Sequence, residues 1–160
     1  MRPLIGVISD THGLVREEAV SALRGSDVII HAGDIGTPEV IAALEKLAPV
    51  KAIRGNNDRD PWVLRWPETD VVEAGGIHIY VLHDLADLDL DPGAAGFRVV
   101  MSGHSHAPKA ETRDGVLYLN PGSAGPRRFR LPVCVARIRI AGQSVEHEIV
   151  TLDTPPIAPS

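Results

Sequence analysis

The stretch LIGVISDTHGLVREEAVSALRGSDVIIHAGD, residues 4–34, decides the fold. Residues 4–9 are a short apolar and β-branched run. Residues 16–23 place apolar side chains at 19, 20 and 23, a helical spacing, and residues 28–32 are a second apolar run. The pattern then repeats. Thr37-Pro38-Glu39 reads as an N-cap, a proline at the first helical position and an acidic first turn, opening a helix to about Leu47, and residues 50–53 supply a third strand. Strand, helix, strand, helix, strand predicts parallel strands joined by crossover helices.

The second half changes character. Gly75-Gly76, Asp114-Gly115 and Gly142-Gln143 each sit between apolar or alternating runs and read as tight hairpin turns. Parallel pairing early and antiparallel pairing later predict an α/β layered fold with mixed sheets. The Pro-rich tail, 154–160, is expected to be loosely ordered beyond one domain spanning residues 1–153.

Composition narrows the function classes. Sixteen basic against 21 acidic residues leave a net charge of −5, a sign that does not favour nucleic acid or anionic membrane. Aromatics at 4% argue against a stacking platform for single strands. No apolar run approaches the ~18 residues of a membrane span. The first residues run straight into a strand pattern rather than a secretory leader, and the one cysteine, Cys134, has no partner for an internal disulfide. The expectation is a cytoplasmic protein. A P-loop, a Gly-x-Ser-x-Gly elbow and a Rossmann glycine fingerprint are all absent.

The polar residues worth explaining fall just after strands. Asp10 and His12 follow the first strand at i and i+2, a spacing that turns both to one side if the chain stays extended. Asp34 follows the second strand and Asn56 the third. His83 ends the run starting at Ile77, and His104 and His106 follow residues 99–102. In open α/β sheets, ligands bind outside this carboxyl edge. Two carboxylates, four imidazoles and one amide oxygen suit Mn²⁺, Fe²⁺, Zn²⁺, Co²⁺ or Ni²⁺. Seven donors exceed one tetrahedral site and match two ions sharing a carboxylate. Two dications less two carboxylates leave a positive site in an acidic protein, which fits an anionic, phosphoryl substrate.

Together Asp10-Thr11-His12, Gly33-Asp34, Gly55-Asn56-Asn57-Asp58, His83 and Gly103-His104-Ser105-His106 resemble, in order and spacing, the five blocks of the calcineurin-like metallophosphoesterases. The small bacterial and archaeal phosphodiesterase branch is the best match, helped by Asn120-Pro121-Gly122-Ser123. The resemblance covers about residues 4–140. It implies a four-layer αββα sandwich with two mixed β-sheets and a dinuclear centre. By motif, Asp10, His12, Asp34 and His106 would hold one ion, with Asp34 bridging, and Asn56, His83 and His104 would complete the other. The implied activity is phosphodiester hydrolysis by a hydroxide bridging two divalent metals, Mn first among them. Asp34, Asn56 and His104 would be the catalytic residues and a small phosphorylated compound the substrate. The alternatives are a phosphomonoesterase at the same site and a catalytically silent scaffold, because some relatives are protein-interaction modules that have lost metal ligands. All seven positions are filled here.

Two departures from the resemblance stand out. Asn57 replaces the histidine that many relatives carry, so a titratable proton is missing there. Asp84 follows His83 where relatives have glycine, and its carboxylate would repel a phosphate unless turned away or neutralised. His31, inside a strand run, reads as a support behind the ligands. Asp58 reads as orienting a ligand or capping a turn, and Arg127, in the cluster with Arg128 and Arg130, as a candidate phosphate contact. Trp62 and Trp66 read first as one core-facing side of a short helix, and alternatively as a cleft wall or a homodimer contact. His78 and His147 read as ordinary strand residues.

Overall fold

A computed structural model describes residues 2–128 and 130–152; the Pro-rich tail lies outside the described residues. The opening stretch folds as expected. Strands β1 (Leu4–Ile8), β2 (Val28–His31) and β3 (Val50–Ala52) pair in parallel, with helices α1 (Glu17–Leu23) and α2 (Pro38–Glu45) between them. Helix α2 starts where Thr37 and Pro38 place it, although the Thr37 side chain makes no capping hydrogen bond.

The hairpin signals are also met. β4 (Thr69–Ala74) turns through Gly75-Gly76 into β5 (Ile77–Leu82), with φ of 58° and 81° at the two glycines. A single β-carbon at Gly75 would press on Ile140. After β6 (Phe97–Met101) come β7 (Lys109–Arg113) and β8 (Val116–Asn120), joined through Asp114-Gly115, with positive φ at both residues. Such turns match the right-handed twist of paired strands. The last hairpin joins β9 (Cys134–Ala141) to β10 (Ser144–Thr151).

Two five-stranded sheets result, β10-β9-β1-β2-β3 and β4-β5-β6-β8-β7. Both are mixed. In the second sheet the hairpins supply only the antiparallel edges, while central β5, β6 and β8 run parallel. Tight turns announce antiparallel neighbours, but a parallel neighbour is reached by a long connection that leaves no local mark.

Period-two alternation sorts the strand residues. Ile5 and Val7 of β1 face the second sheet and pack with Ile79, Val99, Met101 and Leu119. Ile8 points the other way, with Leu23, Ile41 and Leu44, under the two helices. Gly6, also on the helix side, lies so close to Leu23 and Ser26 that an added β-carbon would meet both within 2.8 Å. The outer face of the second sheet carries a smaller cluster of Leu82, Val100 and Val116, flanked by Tyr80, Leu88 and Tyr118. The fourth layer is therefore thin among the described residues: a 3-10 turn at Leu85–Asp87 and the loop after it.

Trp62 and Trp66 lie in and just after a 3-10 turn, Pro61–Arg65, and pack partly buried on the helix-side core. His78 and His147 are exposed on strands, as read.

Ile79, 0% exposed between the sheets, tests where the core lies. Ile79→Ala should destabilise the protein by about 2–5 kcal/mol in urea unfolding, whereas Leu64→Ala, at a side chain 67% exposed, should change stability by about 0.5 kcal/mol or less.

Candidate metal centre

The carboxyl ends of β1, β2, β3, β5 and β6 converge where the two sheets meet, and six of the seven expected ligands lie in the loops just beyond them. His83 directly follows β5. The β1 ladder continues past the strand: Asp10 N–H donates to Gly33 O (2.9 Å), His12 N–H to Asp34 O (3.0 Å) and Gly13 N–H to Ile35 O (2.8 Å). The backbone is not extended there, as the i, i+2 reading assumed. Asp10 and His12 have φ of 55° and 46°, Asp34 57°, and His104 and His106 72° and 63°. Among described non-glycine residues only Asp114 shares this left-handed region. The amide bonding between interlocked loops imposes it. A β-carbon at Gly36 would strike the backbone of His12 and Gly13, so the loops approach as closely as atoms permit. Strained backbone at non-glycine residues concentrates at functional sites.

The side chains converge nonetheless. Donor atoms of Asp10, His12 and His106 lie within 4.8 Å of one another, and so do those of Asp10, Asp34 and His83. Asp10 Oδ2 accepts from Ser9 Oγ (2.7 Å) and from His104 N–H (3.0 Å). Its Oδ1 is buried with no hydrogen bond, 3.5 Å from His106 Nε2 and 3.7 Å from His83 Nε2. Asp34 Oδ2 lies 3.2 Å from His83 Nε2 and 3.8 Å from His12 Nε2. Both carboxylates thus stand between imidazoles, not Asp34 alone.

Charge balance explains the titration behaviour. Burial raises the Asp10 pKa above the usual carboxylate range. Burial would raise Asp34 too, but the His83 imidazole beside it and the hydrogen bond from Asn57 outweigh that and hold it well below. His83 is raised, its contacts with Asp34 and the Ala32 carbonyl overcoming desolvation. His106 is lowered, by burial first and also by the Arg128 charge, while Asp10 opposes. Two buried carboxylates side by side demand positive charge, and the histidines supply only part of it.

The donor set fits divalent ions. His83 Nδ1 donates to Ala32 O (2.7 Å), which orients the ring with Nε2 towards the carboxylates. That Nε2, Asp10 Oδ1 and His106 Nδ1 are buried without hydrogen bonds. Asn56 and His104 form the outer rim: Asn56 Oδ1 is 3.2 Å from His104 Nδ1, and His104 is 45% exposed. Asp84 neither points away nor stands alone. Its Oδ1 accepts from Ala86 N–H (3.0 Å) and its Oδ2 lies 3.6 Å from His104 Nε2.

Behind these residues is a supporting layer. Asn57 gives both its backbone N–H (2.9 Å) and its side-chain amide (3.1 Å) to Asp34, so its side chain is aimed at that carboxylate. The Asp58 carboxylate accepts from Ile35, Gly36 and Gly55 N–H, binding the β2 and β3 loops together. His31 is fully buried; its Nδ1 accepts from Gly33 N–H (3.1 Å), so Nε2 donates to Thr11 Oγ1 (2.9 Å), which donates to Ile35 O (2.7 Å). Arg127 is exposed on the loop after Ser123, and it is Arg128 whose charge reaches His106.

Sequence reasoning missed several supports. Asn120 donates to Gly103 O (3.0 Å) and Ser105 Oγ (3.1 Å), and Ser123 Oγ to Asp10 O (3.0 Å). The Asn-Pro-Gly-Ser motif therefore fastens the His104 loop on one side and the Asp10 loop on the other. Its recurrence beside the ligand blocks was the available signal; its role was not. Ser9 and Thr11 carried no signal of their own.

The chain belongs to the calcineurin-like phosphoesterase superfamily, whose domain model matches residues 4–143. It is similar to a probable metallophosphoesterase of Methanothermobacter thermautotrophicus, 34% identical over 95% of this chain and 94% of the relative. It is also similar to a phosphodiesterase of Methanocaldococcus jannaschii, 29% identical over 74% of this chain and 82% of the relative. The fold matches the crystal structure of Chaetomium thermophilum Vps29, with a TM-score of 0.76 at 18% identity over 96% and 98% of the two chains.

Burial holds the His31 pKa down at about 3, against 6.5 for a free imidazole, with the His83 charge adding to the effect. Between those values the unfolded chain takes up a proton that the folded chain refuses, so His31 makes stability fall as pH drops from about 6.5 towards 3. In thermal melts of chelator-treated protein, His31→Asn should flatten this part of the pH profile. An unchanged slope would assign the effect to other groups.

Proposed function

We propose that this protein is a metal-dependent phosphodiesterase working with two divalent ions, Mn²⁺ first and Fe, Zn, Ni or Co on the same donors. The observation that carries the reading is the pair of buried atoms without hydrogen bonds, Asp10 Oδ1 and His83 Nε2, inside a ring of two carboxylates and three imidazoles. Asp10, His12, Asp34 and His106 would hold one ion. His83, Asn56 and His104 would hold the other, with Asp34 shared. Ions bound there activate a water and withdraw charge from phosphoryl oxygens.

The chain's own residues do the rest. Asn57 fixes both Asp34 oxygens and so sets the direction of the shared carboxylate. His104, exposed at the rim, faces the phosphoryl group and stabilises the charge that develops there. The Asn56 amide orients a phosphoryl oxygen. The Asn57 amide is committed to Asp34 and has no titratable proton, so the leaving oxygen takes its proton from water.

Elemental analysis of protein purified without chelator should give two ions per chain, and EDTA should abolish diester hydrolysis until Mn²⁺ is restored. Absence of metal together with chelator-insensitive turnover would overturn the reading. Asp34→Asn should lose at least one ion and lower kcat by several orders of magnitude with the fold intact. Asn57→Ala should weaken metal affinity about 10–100-fold, as loss of a ligand's hydrogen-bonding partner does. Positioned general acids contribute ~10²–10⁴-fold, so aryl diesters should turn over well and alkyl diesters slowly, with a steep plot of log kcat against leaving-group pKa.

A further inference from the structure

Two cavities meet at the rim of the metal centre. The larger, about 640 Å³, is lined by Asn56, His83, Arg54, Arg59 and Tyr80. The smaller, about 290 Å³, lies over the outer face of the second sheet against Leu85, Pro108, Tyr118 and Asn120. Asp84 and His104 line both, and so form the partition between them. Whatever phosphoryl group the centre binds beside His104 and Asn56 therefore has room on either side. A monoester has one arm to place; a diester has two.

The partition also carries charge. Asp84 is held in position: Oδ1 is tied to Ala86 N–H at 3.0 Å, and Oδ2 lies 3.6 Å from His104 Nε2. The residue cannot swing away without giving up that cap. Asp87 and Asp89 lie farther along the larger cavity, whose lining Arg54 and Arg59 share, so Asp84 is the carboxylate at the partition itself. A bound phosphate ester thus sits against a fixed carboxylate. A diester carries one negative charge and a monoester at neutral pH close to two, so the repulsion on a monoester is nearly twice as great. The same carboxylate therefore disfavours both esters but separates them.

We propose that Asp84 is a specificity-determining residue that selects monoanionic phosphodiesters over dianionic monoesters, with one ester arm in each cavity. This rests on the phosphoesterase reading above and names its substrate class.

The test compares Mn²⁺-loaded wild type, Asp84→Asn and Asp70→Asn. Asparagine keeps the oxygen that caps Ala86 and removes only the charge. Asp70→Asn removes the same charge on β4, where Asp70 Oδ1 accepts from Val71 N–H. Turnover is measured on bis-p-nitrophenyl phosphate and p-nitrophenyl phosphate. In parallel, calorimetry at about pH 8 measures binding of phenylphosphonate, chiefly a dianion there, and its monomethyl ester, a monoanion. Asp84→Asn should lower the diester-to-monoester ratio of kcat/KM about tenfold and shift the two phosphonate affinities in the same sense, and Asp70→Asn should leave both ratios unchanged. Equal ratios in wild type and Asp84→Asn, in turnover and binding alike, would overturn the proposal. A shifted affinity ratio with no turnover of either ester would uphold the role of Asp84 and overturn the phosphodiesterase reading. A shift in Asp70→Asn as large as in Asp84→Asn would also overturn the proposal, since net charge alone would then explain it.

Discussion

The Asp10 carboxylate is tethered at one oxygen and bare at the other. The tethered Oδ2 takes a hydrogen bond from Ser9, just past β1 of the first sheet, and another from His104 N–H, in the loop after β6 of the second. This one group therefore joins the two halves of the sandwich and aims its remaining oxygen between His83 and His106. Much else follows from keeping that approach short. Gly103 precedes His104 because any β-carbon there would press on the Ser9 hydroxyl and the Asp10 carboxylate. Gly55 is constrained likewise by Asp34. Asn120 and Ser123 hold the His104 and Asp10 loops against one another from behind.

The layering around this junction is unequal, and the inequality suits the site. The helix side of the first sheet is packed with α1, α2 and the tryptophan turn, so the β1 and β2 loops rest on a rigid base. The outer face of the second sheet is covered thinly, and the smaller rim cavity occupies part of that face. Precision is concentrated where ligands must be held to fractions of an ångström. Room is left at the rim, where the proposed substrate arms would lie.

The fold was legible because its signals are local. Alternating apolar runs, the Thr37-Pro38 helix start and three glycine-bearing turns each describe a few consecutive residues, and each was met. The parallel centre of the second sheet was not legible, because pairing β5 with β6 and β6 with β8 depends on partners distant in sequence. The candidate ligands were suggested by the strand-end pattern and its resemblance to a known family, but the geometry that gathers them was not. Residues 10 and 12 come together through left-handed turns and not through an extended chain, a consequence of cross-loop amide bonds that no spacing rule contains. The inward turn of Asn57 and the Asp58 clamp are equally invisible until the two loops are side by side.

The five left-handed ligand residues have an evolutionary consequence. Aspartate and histidine at those dihedrals cost folding free energy that glycine would not, of order 1–3 kcal/mol at each strained position. Selection for catalysis is what keeps that cost in place. A descendant released from catalysis could exchange His12 or His104 for glycine and shed that strain, but not Asp10, whose carboxylate ties the two sheets together. At such rim positions, loss of a candidate ligand runs downhill in folding free energy.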